Sequence, residues 1–123
     1  MQVETILLIE DSKTETLVIT KMLEDAGFAV KNASNADQAM ERLYKDKPDL
    51  ILMDVVMPGQ SGFQFTRTLA RHPDFASIPI ILCSSKNLQT DKVWGLRQGA
   101  RDYVTKPVNA SVLLAAIRRI GGL

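Results

Sequence analysis

The chain has 123 residues, 46% of them hydrophobic and 24% charged, with 15 basic and 14 acidic side chains for a formal net charge of +1. That is the size and composition of one globular domain with enough apolar material for its own core. The balanced charge gives no global pull towards nucleic acid or anionic membrane; the single cysteine, Cys83, excludes an internal disulfide, and no apolar run approaches the length of a membrane span.

Short apolar runs alternate with longer amphipathic stretches. Met1-Gln2-Val3-Glu4 has no basic region leading into a long apolar segment, so a cytoplasmic protein is the expectation. Ile6-Leu7-Leu8-Ile9 reads as a first strand buried on both faces. Ser12-Lys13-Thr14-Glu15 then reads as a capping box opening a helix whose apolar positions are Val18, Met22, Leu23 and Ala26 and which Gly27 ends. Phe28-Ala29-Val30 is a second strand, followed by a helix striped with Ala39, Met40, Leu43 and Tyr44. Leu50 to Met53 is the third strand, and Phe65 and Leu69 anchor the helix behind it. Ile78 to Cys83 is the fourth, with Cys83 as a small buried hydrophobe; Val93, Trp94 and Leu96 mark the next helix. Tyr103-Val104 is the fifth strand, and Leu113, Ile117 and Ile120 mark a last helix stopped by Gly121-Gly122. Five strand–helix units in alternation predict an α/β fold, a doubly wound parallel sheet with helices on both faces.

In such sheets ligands bind beyond the carboxyl ends of the strands, near the switch in strand order. The first strand ends in Glu10-Asp11, the third in Asp54 and the fourth in Ser84-Ser85-Lys86; the fifth is followed by Thr105-Lys106-Pro107. Like charges brought close together need a counter-charge. A hard dication such as Mg2+ answers that need, with a few carboxylate oxygens and several waters. Lys106 adds a mobile positive charge and Ser84 a hydroxyl donor. These are the parts of a phosphoryl-transfer site. Each alone has a plainer reading, since Asp11-Ser12 could simply cap a helix and Lys106 could be a surface lysine. Their joint placement at one edge favours function.

The sequence resembles the receiver domain of two-component response regulators of the single-domain, CheY-like kind. The matching segments are Ile6 to Ser12, Leu50 to Gly59, Ser61-Gly62-Phe63, Pro79 to Ser84, Gly99 to Tyr103 and Lys106-Pro107, in the expected order. The resemblance implies one receiver domain over residues 1–123, with the flavodoxin-like strand order 2-1-3-4-5. It implies that Asp54 accepts a phosphoryl group from a histidine kinase, so that the chain is a signalling phosphoacceptor and not an enzyme. It implies Mg2+ on Asp11, Asp54 and the Val56 carbonyl, with Glu10 acting through water. Lys106 and Ser84 would hold the phosphoryl group, Ser84 moving to bond it and Tyr103 turning inward behind it. Pro107 resembles the family's cis-proline after the lysine, though the sequence itself does not fix the bond as cis or trans. The output would be a protein target docking on the face of the fourth helix, fifth strand and fifth helix, through Trp94, Tyr103, Val108 and Leu114. Trp94 suits core packing equally well.

Departures from the commonest pattern are Glu10 for aspartate and Ser84 for threonine. Val56 and Lys86 are expected to border the path of the attacking water. Thr90 to Gly95, Arg97 to Tyr103 and Thr105 to Val108 further resemble the chemotaxis-like regulators of type IV pilus twitching motility. An aspartate-based phosphatase would carry a second aspartate two residues beyond the nucleophile, where Val56 stands. A phosphorylation-independent interaction module would be expected to lack the acceptor or the lysine. The chain stops at Leu123, so output is expected through protein and not through DNA; Arg118-Arg119 reads as a solvated helix face, and His72 as a surface histidine.

Overall fold

A computed structural model describes residues 2–121. The strands are β1 (Thr5–Ile9), β2 (Ala29–Ala33), β3 (Leu50–Asp54), β4 (Ile80–Ser84) and β5 (Asp102–Thr105), and the helices are α1 (Lys13–Asp25), α2 (Ala36–Lys45), α3 (Gly62–Ala70), α4 (Gln89–Gln98) and α5 (Ala110–Ile120). All pairings are parallel, in the order β2-β1-β3-β4-β5. The alternation read from the sequence is therefore the observed one. Gly122, the second half of the expected stop signal, and Leu123 lie outside the described residues.

Side chains alternate along each strand and build two cores. Leu7, Ile9, Ile51, Met53 and Leu82 pack with Ala39, Leu43, Phe65 and Leu69 of α2 and α3 on one face. Ile6, Leu8, Leu50, Leu52 and Cys83 pack with Ile19, Leu23, Leu113 and Ile117 of α1 and α5 on the other. β3 and β4 are buried along their whole length, as their continuous apolar runs require.

The buried faces of three helices differ from the expected stripes. In α1 the buried residues are Ile19 and Leu23, while Val18 is exposed. Gly27 does end the chain's first helical excursion, at φ +99°, with its N–H on the Glu24 carbonyl and that of Phe28 on Leu23. Tyr44 is exposed and does not join the α2 stripe; its hydroxyl meets Nε2 of His72 at 3.0 Å, so His72 is half-buried with a partner. In α4, Val93, Trp94 and Leu96 are all exposed, and the buried residue is Gly95. Trp94 is thus a surface residue. The Lys106-Pro107 bond is cis.

Candidate functional site

The strand order reverses between β1 and β3, and the crevice beyond their carboxyl ends is where this topology places a ligand. Ile9 pairs with Met53 and Asp54 with Cys83, so Glu10 and Asp54 leave neighbouring strands side by side. Ser84 pairs with Thr105, which brings Lys106 to the same edge. The backbone N–H of Lys106 donates to the Ser84 carbonyl at 2.9 Å and fixes that approach.

The centre of the site is the Lys106 ammonium. It donates to Glu10 Oε1 and to Glu15 Oε2, both at 2.7 Å, and lies 3.4 Å from Asp54 Oδ2. The Lys106 side chain is 9% exposed and that of Glu10 2%, whereas that of Glu15 is 42% exposed. Glu10 uses both oxygens, since Oε2 accepts the Ser12 N–H at 3.1 Å. Its extra methylene lets it span from the lysine to the start of α1. Asp54 Oδ1 accepts the Val56 N–H at 3.3 Å. Burial pushes the carboxyls of Glu10 and Asp54 above their ordinary range, against the lowering influence of Lys106. Lys106 is pushed up, burial being outweighed by its bonds to the two glutamates and by the charge of Asp54. Burial also raises the Cys83 thiol to about 12, which makes it an inert packing residue.

Glu15 was missed by sequence reasoning. Its spacing from Ser12 makes it the reciprocal half of a capping box, and only one half forms. Ser12 Oγ accepts the Glu15 N–H at 3.3 Å, but the Ser12 N–H goes to Glu10 and the Glu15 carboxylate goes to Lys106. The available signal was position: α1 starts at the carboxyl edge of the sheet, so its first turn borders whatever that edge holds. Asp11, by contrast, is exposed on the turn between β1 and α1. Among the described residues, the carboxylates whose oxygens come within 4.8 Å of one another are Glu10, Glu15 and Asp54. Of these, Glu10 and Asp54 offer oxygens that suit a hard dication.

The remaining expected residues flank this centre. Ser84 is fully buried, its Oγ accepting the Lys86 N–H at 3.2 Å. Val56 and Lys86 are exposed at the rim. Tyr103 is turned inward and is not a surface residue: its hydroxyl donates to the Lys86 carbonyl at 2.6 Å, and burial raises its phenol pKa. Two glycines make the geometry possible. A Cβ at Gly62 would collide with the backbone of Asp54 and Val55, so only glycine lets α3 begin directly against the end of β3. A Cβ at Gly95 would lie 3.2 Å from Tyr103 Cδ2 and 2.9 Å from Leu82 Cδ1, so its absence makes room for the inward ring. Val108 and Leu114 are half-buried and pack against the core under α1 and α5, while Trp94 is exposed on α4. None of the helices described is long and apolar enough to cross a membrane.

Residues 6–118 match the response regulator receiver domain family. The chain is 47% identical over 115 residues to the protein PilH of Pseudomonas aeruginosa, covering 94% of this chain and 95% of that protein. It is similar in structure to the chemotaxis response regulator CheY4 of Vibrio cholerae, with a TM-score of 0.88 at 27% identity over 97% of this chain and 99% of the other. The receiver domain of a sensor histidine kinase from Pseudomonas aeruginosa PAO1, solved with a magnesium ion coordinated in its active site cleft, matches with a TM-score of 0.88 at 30% identity, covering 98% and 99%.

Proposed function

Because the chain belongs to the response regulator receiver family, we propose that residues 1–123 form one receiver domain and that Asp54 is its phosphoacceptor. The observation that carries this reading is the Lys106 ammonium held between Glu10 and Asp54 at the β1–β3 crevice. A carboxylate oxygen of Asp54 attacks the phosphorus of a kinase phosphohistidine; the P–O bond forms as the P–N bond breaks, and the imidazole leaves with the bonding pair. Lys106 then pairs with the phosphoryl oxygens and the Ser84 hydroxyl donates to one of them. Asp11, Asp54 and the Val56 carbonyl, with Glu10 acting through water, would hold a magnesium ion, which would supply charge neutralisation at those oxygens.

The chain acts as a signalling switch in the cytoplasm. Its donor is a histidine kinase, and its output is a protein target on the face of α4, β5 and α5, with Trp94, Val108 and Leu114 in the contact and Tyr103 coupling that face to the site. The similarity to PilH supports a place in a type IV pilus, chemotaxis-like pathway.

Acetyl phosphate with Mg2+ tests the acceptor. Intact-mass spectra are expected to show one phosphoryl adduct on the wild type and none on Asp54→Asn. An adduct of equal yield on the variant, or none on the wild type, removes the assignment.

A further inference from the structure

Lys106 has three ammonium hydrogens. Two are committed to Glu10 and Glu15 at 2.7 Å, and the approach to Asp54 is longer, at 3.4 Å. The lysine therefore rests on the two glutamates and not on the acceptor. The partners differ in solvation. Glu10 is 2% exposed and bound at both oxygens, whereas Glu15 is 42% exposed and stands on the first turn of a helix. An ion pair with a half-exposed carboxylate is cheap to break and remake.

We propose that Glu15 is a positioning residue of this site: it is the resting acceptor for the Lys106 ammonium, and it hands the lysine to the phosphoryl group that arrives on Asp54. The inference rests on the phosphoacceptor reading above and deepens it. A dication entering the crevice needs oxygens of Asp54 and the help of Glu10, both of which the ammonium now faces. Glu15 gives Lys106 a carboxylate to keep when those two turn to the metal. It also adds a negative charge near the metal. Both effects favour Mg2+. A phosphoryl group on Asp54 reverses the sign. Lys106 must then leave Glu15, and the carboxylate left behind faces a dianion within a few ångströms, where like charges repel. Glu15 thus favours the metal-loaded acceptor and opposes its phosphorylated product, which biases the switch towards its resting state.

Glu15→Gln in the full chain separates these effects. Mg2+ affinity, followed by amide chemical shifts, is expected to fall about threefold, and the affinity for beryllofluoride at saturating Mg2+ to rise by about the same factor, the scale of a half-exposed ion pair. The amide and ammonium resonances of Lys106 in metal-free protein are expected to shift as the lysine settles on Glu10 and Asp54. Glu24→Gln, which removes an exposed charge from the other end of α1, is expected to move neither affinity. Affinities that change in the same direction, that do not change, or that respond equally to Glu24→Gln overturn the role of Glu15 while leaving the acceptor standing. A wild type that binds no beryllofluoride, or an Asp54→Asn that binds as much, defeats the acceptor reading and this inference together.

Discussion

The two helices flanking the site are attached in opposite ways. α1 buries Ile19 and Leu23 against the sheet, its N-cap Ser12 donates to Glu10 and accepts the Glu15 N–H, and Glu15 ties it to Lys106. α4 buries Gly95 alone and leaves Val93, Trp94 and Leu96 to solvent. One helix contributes fixed charge; the other contributes empty space, into which the Tyr103 ring fits. Elements with few buried apolar contacts shift at the lowest free-energy cost. A charge created at Asp54 is therefore met by a rigid wall at α1 and by a yielding one at α4. That asymmetry suits a switch whose input is electrostatic and whose output is a repositioned surface.

Lys106→Met strikes the rigid side hardest. It leaves the buried Glu10 and Asp54 facing each other without a counter-charge, the kind of loss that costs about 3 kcal/mol. Denaturant midpoints near neutral pH are expected to fall accordingly. The deficit is expected to shrink in acid, where the carboxyls are protonated, and to shrink with millimolar Mg2+. A deficit independent of pH and metal would mean that only the packing of the lysine stem was lost.

Gly95→Ala tests the yielding side. Alanine raises helix propensity by about 1 kcal/mol. The new Cβ, however, meets Leu82 and Tyr103 at 2.9 and 3.2 Å. Overpacking on this scale costs about 1–3 kcal/mol, so the expected net change is a loss of about 1 kcal/mol. In a Tyr103→Ala background the same substitution is expected to cost less, the contact with Leu82 alone remaining. A double-mutant cycle with no coupling would show that the ring does not depend on this space.

Asp54→Asn is expected to stabilise the fold near neutral pH by an amount of order 1 kcal/mol. Burial raises the folded-state pKa of Asp54, and likewise that of Glu10. For a group raised in this way, the stabilisation is full below its unfolded pKa and is lost as pH rises through the folded one. Wild-type stability should therefore decline from acid towards neutral pH through this site. The variant should decline less, and the two curves should converge in acid. Curves that separate in acid instead would reverse the sign assigned to burial.

The rigid side was also the more legible one in sequence. Glu10, Asp54, Ser84 and Lys106 end their strands, and strand ends can be read from apolar runs such as Leu50 to Met53. Parallel topology then brings them together without any knowledge of rotamers. Glu15 could not be found that way. Its residue type and spacing from Ser12 satisfy a local capping rule, and only the three-dimensional approach of Lys106 shows that the carboxylate is used elsewhere. The packing face of α4 is hidden for a related reason. A valine, a tryptophan and a leucine in a helix suggest a core face, yet Val93, Trp94 and Leu96 do not share one side, and the helix packs through Gly95. A glycine is silent in an apolar pattern even when the contact depends on it.

Trp94 gives the smallest and most discriminating of these effects. A tryptophan in a core loses about 3–5 kcal/mol on truncation to alanine. Trp94 is 49% exposed on a helix whose buried contact is a glycine, so Trp94→Ala is expected to change stability by less than about 0.5 kcal/mol. Chemical denaturation measures this directly. A loss above about 1.5 kcal/mol would mean that α4 is held by its apolar residues after all, and the contrast with α1 would collapse. If stability is unchanged, the large exposed indole needs another reason to be there. A half-exposed tryptophan on a helix that also exposes Val93 and Leu96 has the composition of a protein contact. Its value to the molecule then lies in binding, and α4 can move under it without weakening the fold.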